Sequence, residues 1–510
     1  MGIGFKDSEE YLKQAHKFKL GFLPTEQSHP ETWLLSDYAK NDISQGIEVL
    51  KQLDINVLSV LQSKQKQAHE LSITIKKVFS GGGKVYLFGC GATGRLSLLI
   101  ESIWNQLYPN KVGQVMSFMS GGDIALVQSV EGFEDFTDYG ARQLTDMGFT
   151  EKDLLICSTE GGETPIVIGA ALKSLEISNY KTYFLYCNPT DLLVNNIERS
   201  KHIIKHEKVK SIELFCGPMG VAGSTRMQAS SVLQAFICMS LFFEGESEKI
   251  QELDQFKQFF SECNLDFLKK FIELESGIYV SFNRITYNVD PALALNVFTD
   301  TTERAPTFSM KPFEHPEHMT EPLSLCYINV NGSANAEDAW EKLLYRKPRA
   351  LTWADEIDRV SHEYLKGFDF SFKAVEKRNK LAPSPHSFTI SNLESAIGWK
   401  LNDHSYEIKH GKEMHSVWRQ LLLKMILNIH STLIMGRLNR YQNNLMTWVS
   451  PSNGKLVDRT ARYINYFLKE KNIDLSYEEI VQEIFAINLK KDRSMVLEIV
   501  KQIEDKHAVF

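Results

Sequence analysis

The sequence predicts an α/β protein of two tandem units, each a parallel sheet flanked by helices in a flavodoxin-like manner, followed by an α-helical C-terminal region. Three observations carry this expectation. Short apolar runs such as 85–88 (VYLF) end in Gly-rich turns that lead into helical stretches. The same strand–helix–strand order begins again after the charged stretch 244–276. From Glu413 onward apolar residues recur at spacings of three and four, with long periodic faces over 417–438 and 477–504. The expected organisation is an N-terminal segment 1–35, a first unit 36–260, a second, degenerate unit 261–412 and a helical region 413–510.

Composition narrows the class. At roughly 150 residues per domain, a chain of 510 residues holds about three structural units. Hydrophobic residues are 43% and charged residues 24%, which excludes disordered, collagenous and coiled-coil chains. With 57 Lys+Arg against 64 Asp+Glu the net charge is −7, so no global field draws nucleic acid or an anionic membrane. The longest apolar run, 232–243 (VLQAFICMSLFF), falls short of the about 20 residues that span a bilayer and reads as a buried helix. The N-terminus MGIGFKDSEEYLKQAHKFKLG has no apolar core of a secretory signal, and Lys6 stands where a myristoylation signal has Ser or Thr. Seven cysteines, none in a CxxC pair, sit mostly in apolar runs, the habit of reduced thiols. The expectation is a soluble, cytoplasmic protein.

Element by element, 31–80 is helical, with apolar positions at Ile43, Ile47, Leu50, Leu53, Val57 and Leu61, and stops at Gly81-Gly82-Gly83. Strands are expected at 85–88, 153–158, 182–187 and 212–215, with a helix over 164–175. In the second unit, 278–282 (IYVSF) reads as a strand, 292–299 as a helix, 323–330 as a strand and 349–353 as a candidate third strand. Residues 381–388 read as a Pro/Ser loop. Open parallel sheets bind ligands beyond the carboxyl ends of their strands, which points to the loops after Phe88, Ser158 and Phe215.

The first of these, Gly89-Cys90-Gly91-Ala92-Thr93-Gly94-Arg95, opens a helix whose N–H groups can face an anion, with the Thr93 hydroxyl added. It spells GxGxxG, but no acidic residue ends a second strand about 20 residues on, and no Gly-Lys-Ser/Thr closes a Walker loop. The second loop runs Ser158-Thr159-Glu160-Gly161-Gly162-Glu163-Thr164-Pro165. Thr164 there is equally readable as a helix cap, with Pro165 in the first turn. The third, residues 217–227, brings Ser224, Thr225 and Arg226 to a helix start. A single Gly-rich turn is weak, but three such loops on one sheet edge are a pattern.

The segments VYLFGCGATGRL, GGDIALVQSVEGFEDFTDYG, CSTEGGETPIVIGAAL, CNP and GSTRM occur in that order, and LNIHSTLIMGRLNRYQNNLMTWVSPSNGKLVDR closes the set. On these residues the chain resembles the family of sugar isomerase (SIS) domain proteins that contains N-acetylmuramic acid 6-phosphate etherase and glucokinase regulatory protein. The resemblance covers residues 30–240 and 415–465. It implies a sugar 6-phosphate cradled by Gly89, Gly91, Ala92, Thr93, Gly94 and Arg95 with Ser158, Thr159, Glu160, Gly161 and Thr164. Ser224, Thr225 and Arg226 join this set, and Lys455 falls at a lysine of the regulatory protein's sugar-phosphate site. Glu134 falls at one catalytic glutamate of the etherase. The other falls on Ile103, but DTTERAPTF in the second unit resembles the missing segment and places Glu303 there. The second unit has FNRITYNVD where a phosphate loop is expected, so the halves decay in a complementary way and imply one composite site between them.

The etherase carries one SIS domain and dimerises, whereas the regulatory protein carries two in tandem with a helical cap, as this chain's double pattern does. The resemblance therefore implies a binding or regulatory protein first. The alternative is a lyase, with Glu134 as base and Glu303 as acid. An aldose–ketose isomerase rests on fold analogy alone. Ala92 in place of a hydroxyl, and the acids Glu160 and Glu163 in the second loop, depart from the etherase; a carboxylate beside a phosphate is repulsive unless a cation intervenes. No cofactor, metal, nucleic acid or membrane partner is expected, and a fused pseudo-dimer is expected to be a monomer. The His202/His206 and His315/His318 pairs lack companion ligands and read as surface or core residues. The basic stretch Arg199, Lys201, Lys205, Lys208 and Lys210 reads as a solvated face.

Overall fold

The computed structural model describes residues 5–128, 130, 132–315, 323–353, 358–381, 386–487 and 493–507. The first lobe is built on β1 (Val85–Gly89), β2 (Val115–Met119), β3 (Leu154–Ser158), β4 (Thr182–Tyr186) and β5 (Val209–Glu213). All pair in parallel in the order β2-β1-β3-β4-β5. β1, β3 and β4 are buried at every residue, as strands covered by helices on both faces must be. β5 is one of the two edges, with Lys210 exposed, so its apolar signal lies off centre; the strand occupies 209–213 rather than the expected 212–215. β2 was not foreseen, because its short VMSFM run is cut by a serine. The strand order reverses between β1 and β3, which opens a crevice at their carboxyl ends.

The second lobe holds β6 (Ile285–Val289), β7 (Cys326–Val330), β8 (His386–Asn392), β9 (Ala396–Leu401) and β10 (His404–Lys409), in the order β10-β9-β8-β6-β7. β6 pairs in parallel with β7 and β8, and β8, β9 and β10 form an antiparallel meander. The sheet is thus mixed rather than parallel, and a strand begins at His386, inside the expected 381–388 loop, whose residues 382–385 lie outside the described set. Buried Phe388, Ile390, Ile397, Trp399 and Leu401 carry that meander, and Asn402, at φ 51°, makes the tight turn between β9 and β10.

Two further expectations are corrected. Residues 278–282 are not a strand: helix Leu268–Val280 continues through Ile278 and Tyr279, with Phe271, Ile272 and Glu275 on its buried face. A short apolar run cannot be told from a buried helical turn by periodicity. Residues 349–353 form no strand either; they reach across to the first lobe, where Arg349 and Asp123 exchange backbone contacts.

Helix Ile43–Gln62 starts where Asp42 accepts from the Gln45 N–H at 3.1 Å, and all six foreseen apolar positions are buried. Helices Gln228–Phe242 and Ser416–Arg437 are buried on almost every side, so neither shows a polar face. Ser416–Arg437 packs against Leu35–Asn41, Ile43–Gln62 and Gln228–Phe242 on one side. On the other it meets Leu268–Val280 and Pro291–Phe308. This shaft joins the lobes.

Buried charges cross the seam in both directions. Arg95 of the first lobe meets Glu303 at 2.5 Å, and Arg226 meets Asp300 at 2.9 Å. Arg346 and Arg349 of the second lobe return the exchange to Glu101 and Asp123, at 2.6–3.0 Å. No described helix is long and apolar enough to cross a membrane.

Helices Thr137–Asp146 and Pro165–Ile177 cross through Gly140 and Gly169. A Cβ on Gly169 would lie 1.9 Å from the Thr137 carbonyl oxygen. Gly169→Ala must push the helices apart and is expected to cost about 1–3 kcal/mol in chemical denaturation; an unchanged unfolding midpoint would show that the crossing has slack.

Candidate functional site

The β1 loop turns into helix Ala92–Leu107 with Thr93 fully buried. The Thr93 hydroxyl accepts from the Cys90 N–H at 3.0 Å and donates to the Cys90 carbonyl at 2.9 Å, so it shapes the loop from within. Arg95 points to the seam, donating to the Ala125 carbonyl at 3.1 Å and pairing with Glu303. Gly89, Gly91 and Gly94 line the same turn. Behind Ala92 a small cavity between the lobes is bounded by Arg95, Arg226, Asp300, Glu303 and Lys424.

The β3 loop is pinned at its ends by a 2.8 Å hydrogen bond between the Thr159 and Thr164 hydroxyls. Thr164 stands at the cap position but makes no capping bond with its side chain. That helix start is capped instead by the Glu134 backbone carbonyl, which accepts from the Ile166 N–H at 3.1 Å. Ser158 is buried beneath the Phe88 carbonyl, and the Gly161 carbonyl accepts from Asn188 at 3.0 Å. Asn188 also holds Thr25, which seats the N-terminal segment against this loop.

Four carboxylates and a lysine meet here. Lys455, near the start of helix Gly454–Glu470, lies 3.5 Å from Glu163 and 3.9 Å from Glu26. Burial opposes its charge, but Glu163, Glu134 and Glu26 outweigh it and hold the ammonium well above the usual lysine range. Glu163 turns out of the loop to Arg199, whose Nε donates to the Glu163 carbonyl at 2.6 Å and whose Nη2 pairs with its carboxylate. Burial would raise Glu163, yet Lys455 and Arg199 bring it below the ordinary range. Glu134 is half-buried and raised, by burial first, with Glu163 and Asp135 adding to it against Lys455.

Glu160 is the contrasting acid. It is buried, its Oε1 makes no hydrogen bond among the described residues, and its carboxyl is pushed up to about 8. Burial is the main cause; its own backbone N–H and Lys455 oppose, and both Glu303 and Glu134 add to the rise. Glu160 thus feels the two candidate catalytic carboxyls, one from each lobe, at once. A neutral Glu160 at pH 7 leaves Glu163, paired with Arg199 and Lys455, as the ionised glutamate of this loop.

The third loop divides. Ser224 is buried with its hydroxyl unpartnered among the described residues, while the Thr225 carbonyl accepts from the Ser230 N–H. Arg226 leaves the crevice for Asp300, Ser431 and Thr432 at 2.7–3.0 Å. Gly223, at φ 69°, has the Arg459 guanidinium 2.7 Å from where a Cβ would stand.

Sequence reading missed Glu26, Arg199, Arg459 and Arg462. Glu26 is held bidentate by Arg459 at 2.6 and 3.0 Å and by Arg462 at 3.0 Å. Burial raises its pKa, but Arg459, Lys455 and Arg462 bring it to about 2. Its partners lie more than four hundred residues away in the chain, so no local pattern marks it. Arg199 is not the solvated residue expected.

In the second lobe, β6 runs through Asp290 directly into helix Pro291–Phe308. The Asp290 carboxylate accepts from Asn331 at 2.9 Å and from the Asn392 N–H at 2.8 Å, so a fixed anion stands where a phosphate loop was absent from the sequence. His315 is buried and stacked on Tyr364, His318 lies outside the described residues, and the His202 and His206 rings meet edge to face 6.5 Å apart. Among the described residues no group of three or more His, Cys, Asp or Glu could hold a metal ion.

A sheet ordered 2-1-3-4-5 with hydroxyl-rich loops at its reversal, joined to a second α/β lobe, defines a doubly wound α/β protein whose crevice opens at those loops. Residues 66–175 match the family model of the glucokinase regulatory protein N-terminal SIS domain. N-acetylmuramic acid 6-phosphate etherase of Thermosynechococcus vestitus is 31% identical over 212 residues, 41% of this chain and 64% of that protein. The Lactococcus lactis subsp. lactis etherase is 30% identical over 220 residues, 43% of this chain and 69% of that protein. The chain belongs to the SIS family that contains N-acetylmuramic acid 6-phosphate etherase and glucokinase regulatory protein. Among solved structures, the Escherichia coli tagatose-6-phosphate ketose/aldose isomerase superposes with a TM-score of 0.44 at 10% identity, over 80% of this chain and 95% of that one.

The Glu160 shift has a thermodynamic sign. Because its pKa rises from 4.5 to about 8 on folding, the native state keeps a proton that the unfolded chain has lost, and stability falls as pH rises through that window. Glu160→Gln is therefore expected to stabilise the protein at pH 7 by roughly 1–3 kcal/mol, with the gain vanishing near pH 4. Glu26 acts oppositely: the stability it supplies is present above pH 4.5 and is lost as pH falls toward 2. Urea denaturation of wild type, Glu160→Gln and Glu26→Gln across pH 3–8 separates the two; a Glu160→Gln variant less stable than wild type at pH 7 would refute the first assignment.

Proposed function

We propose that this chain binds a sugar 6-phosphate at one composite site between its lobes and serves as a regulator or sensor of that ligand. The phosphate lies on the Gly89–Arg95 and Ser158–Thr164 loops, with Lys455 as the cation and Glu134 and Glu303 on either side of the sugar. The observation that supports this best is the Lys455 ammonium, which the C-terminal region brings to 3.5 Å from Glu163 of the β3 loop. Residues 36–260 and 261–412 act as the two SIS units and 413–510 as the cap, in a monomeric, cytoplasmic protein.

Binding is favoured over turnover because Glu303 is engaged by Arg95 at the seam. A phosphate that draws Arg95 toward itself loosens a contact between the lobes, so occupancy becomes lobe register. The second reading is a lyase that cleaves the lactyl ether of N-acetylmuramic acid 6-phosphate, the compound in the names of the relatives at 30 and 31% identity. There Glu134 would remove the proton beside the open-chain aldehyde and Glu303 would protonate the departing oxygen, while phosphate contacts hold the sugar in place.

A thermal-shift panel of sugar 6-phosphates separates the readings. At 100 times its Kd a ligand adds about 2.7 kcal/mol to stability, enough to move the melting temperature visibly. Lys455→Ala is expected to weaken that shift at least tenfold in ligand concentration. Lactate released from N-acetylmuramic acid 6-phosphate, and lost in Glu134→Gln and Glu303→Gln, would establish the lyase; a shift without release leaves the sensor. No shift with any member of the panel would defeat both.

A further inference from the structure

An arm of the second lobe, Arg346 to Trp353, lies against the first. Its base is anchored by buried charge: Arg346 reaches Asp123 at 2.6 and 3.0 Å and Glu101 at 2.8 Å. Arg349 adds two bonds to Glu101 and one to the Ser117 carbonyl, all at 2.7–3.0 Å. Its tip is Trp353, which is 2% exposed. The indole N–H donates to Asp146 at 2.7 Å, Arg142 covers one face with its guanidinium 4.3 Å from the ring, and Tyr139 meets it edge-on at 5.3 Å. Phe133 stacks on Trp353 at 5.6 Å with the rings 10° from parallel.

Phe133 is itself 1% exposed and immediately precedes Glu134. The Glu134 backbone carbonyl in turn caps helix Pro165–Ile177 through the Ile166 N–H, just beyond the Ser158–Thr164 loop. A continuous path of packed groups thus runs from a residue of the second lobe to the first lobe's carboxyl-bearing turn. We propose that Trp353 is a positioning residue: its stacking on Phe133 sets the Glu134 turn, so that Glu134 takes its place at the site only while the lobes are docked. The proposal rests on the role given to Glu134 above. It deepens that role by making the second lobe supply both Glu303 and the register of Glu134.

A surface arm of ordinary packing would spread the effect of its loss over the lobe; a positioning arm concentrates it at one turn. Hydrogen–deuterium exchange of the full chain without ligand reads this directly, and so stands apart from whether any sugar phosphate binds. In Trp353→Ala the Ile166 amide is expected to exchange at least tenfold faster, while the β1 and β3 amides keep their protection. Trp353→Phe, which retains the stack, restores slow exchange. If Trp353→Ala does not fold, Asp146→Ala, which frees the indole N–H, is expected to give a smaller increase at the same amide. Equal Ile166 protection in Trp353→Ala or, failing that variant, in Asp146→Ala overturns the proposal, as does a loss spread evenly over the first lobe. With N-acetylmuramic acid 6-phosphate as probe, Trp353→Ala is expected to weaken binding in wild type and to add nothing in a Glu134→Gln background. An equal loss in both backgrounds overturns it as well.

Discussion

The two lobes are held in register by an exchange of arginines against buried carboxylates. Arg95 and Arg226 leave the first lobe for Glu303 and Asp300, and Arg346 and Arg349 leave the second for Glu101 and Asp123. Asp300 also accepts from Arg304, Ser431 and Asn428, which ties the exchange to the shaft helix. Removing one member of such a pair strands the other charge in a low-dielectric interior at about 3–5 kcal/mol, whereas the intact pair adds little net stability. What the exchange supplies is geometry. A guanidinium fork accepts a carboxylate in few orientations, so it dictates how the lobes sit against one another.

The crevice itself is charged on both signs. Lys455, Arg459, Arg462 and Arg199 are matched by Glu26, Glu163 and Asp458, and the raised carboxyls of Glu134 and Glu160 complete the set. An incoming dianion therefore meets cations that already have partners, and must compete with Glu26 and Glu163 for them. The Glu160 Oε1 and the Ser224 hydroxyl have no hydrogen-bond partner among the described residues, and a buried polar atom left so costs stability until it gains one.

β1, β3 and β4 of the first lobe were legible because they are buried at every residue and read as apolar runs, as 85–88 and 182–187 did, whereas the outer strands β2 and β5 were missed or misplaced. The second lobe was less legible. Helix Leu268–Val280 ends in IYV, a string of residues that favour strands, and only its spacing from Phe271 and Glu275 reveals the helix. The β8–β10 meander has one wet face and polar residues throughout, which muted its signal against a neighbouring Pro/Ser stretch. At the site, residues near the three loops could be named from local pattern. Glu26 and Arg199 could not, since their partners are set by tertiary contact. Arg95 and Arg226 were placed by pattern in the phosphate cradle, and the fold turns them to the seam.

The shaft helix Ser416–Arg437 is made late yet contacts elements from Leu35 onward. Until it emerges from the ribosome, the faces of helices Ile43–Gln62, Gln228–Phe242 and Pro291–Phe308 that it covers stay open, although these helices already pack on other elements made before it. Nascent chains shorter than this point therefore carry a long apolar trough open to water, a natural target for chaperones. Closing it brings together segments nearly four hundred residues apart, a long-range docking rather than the zippering of neighbours.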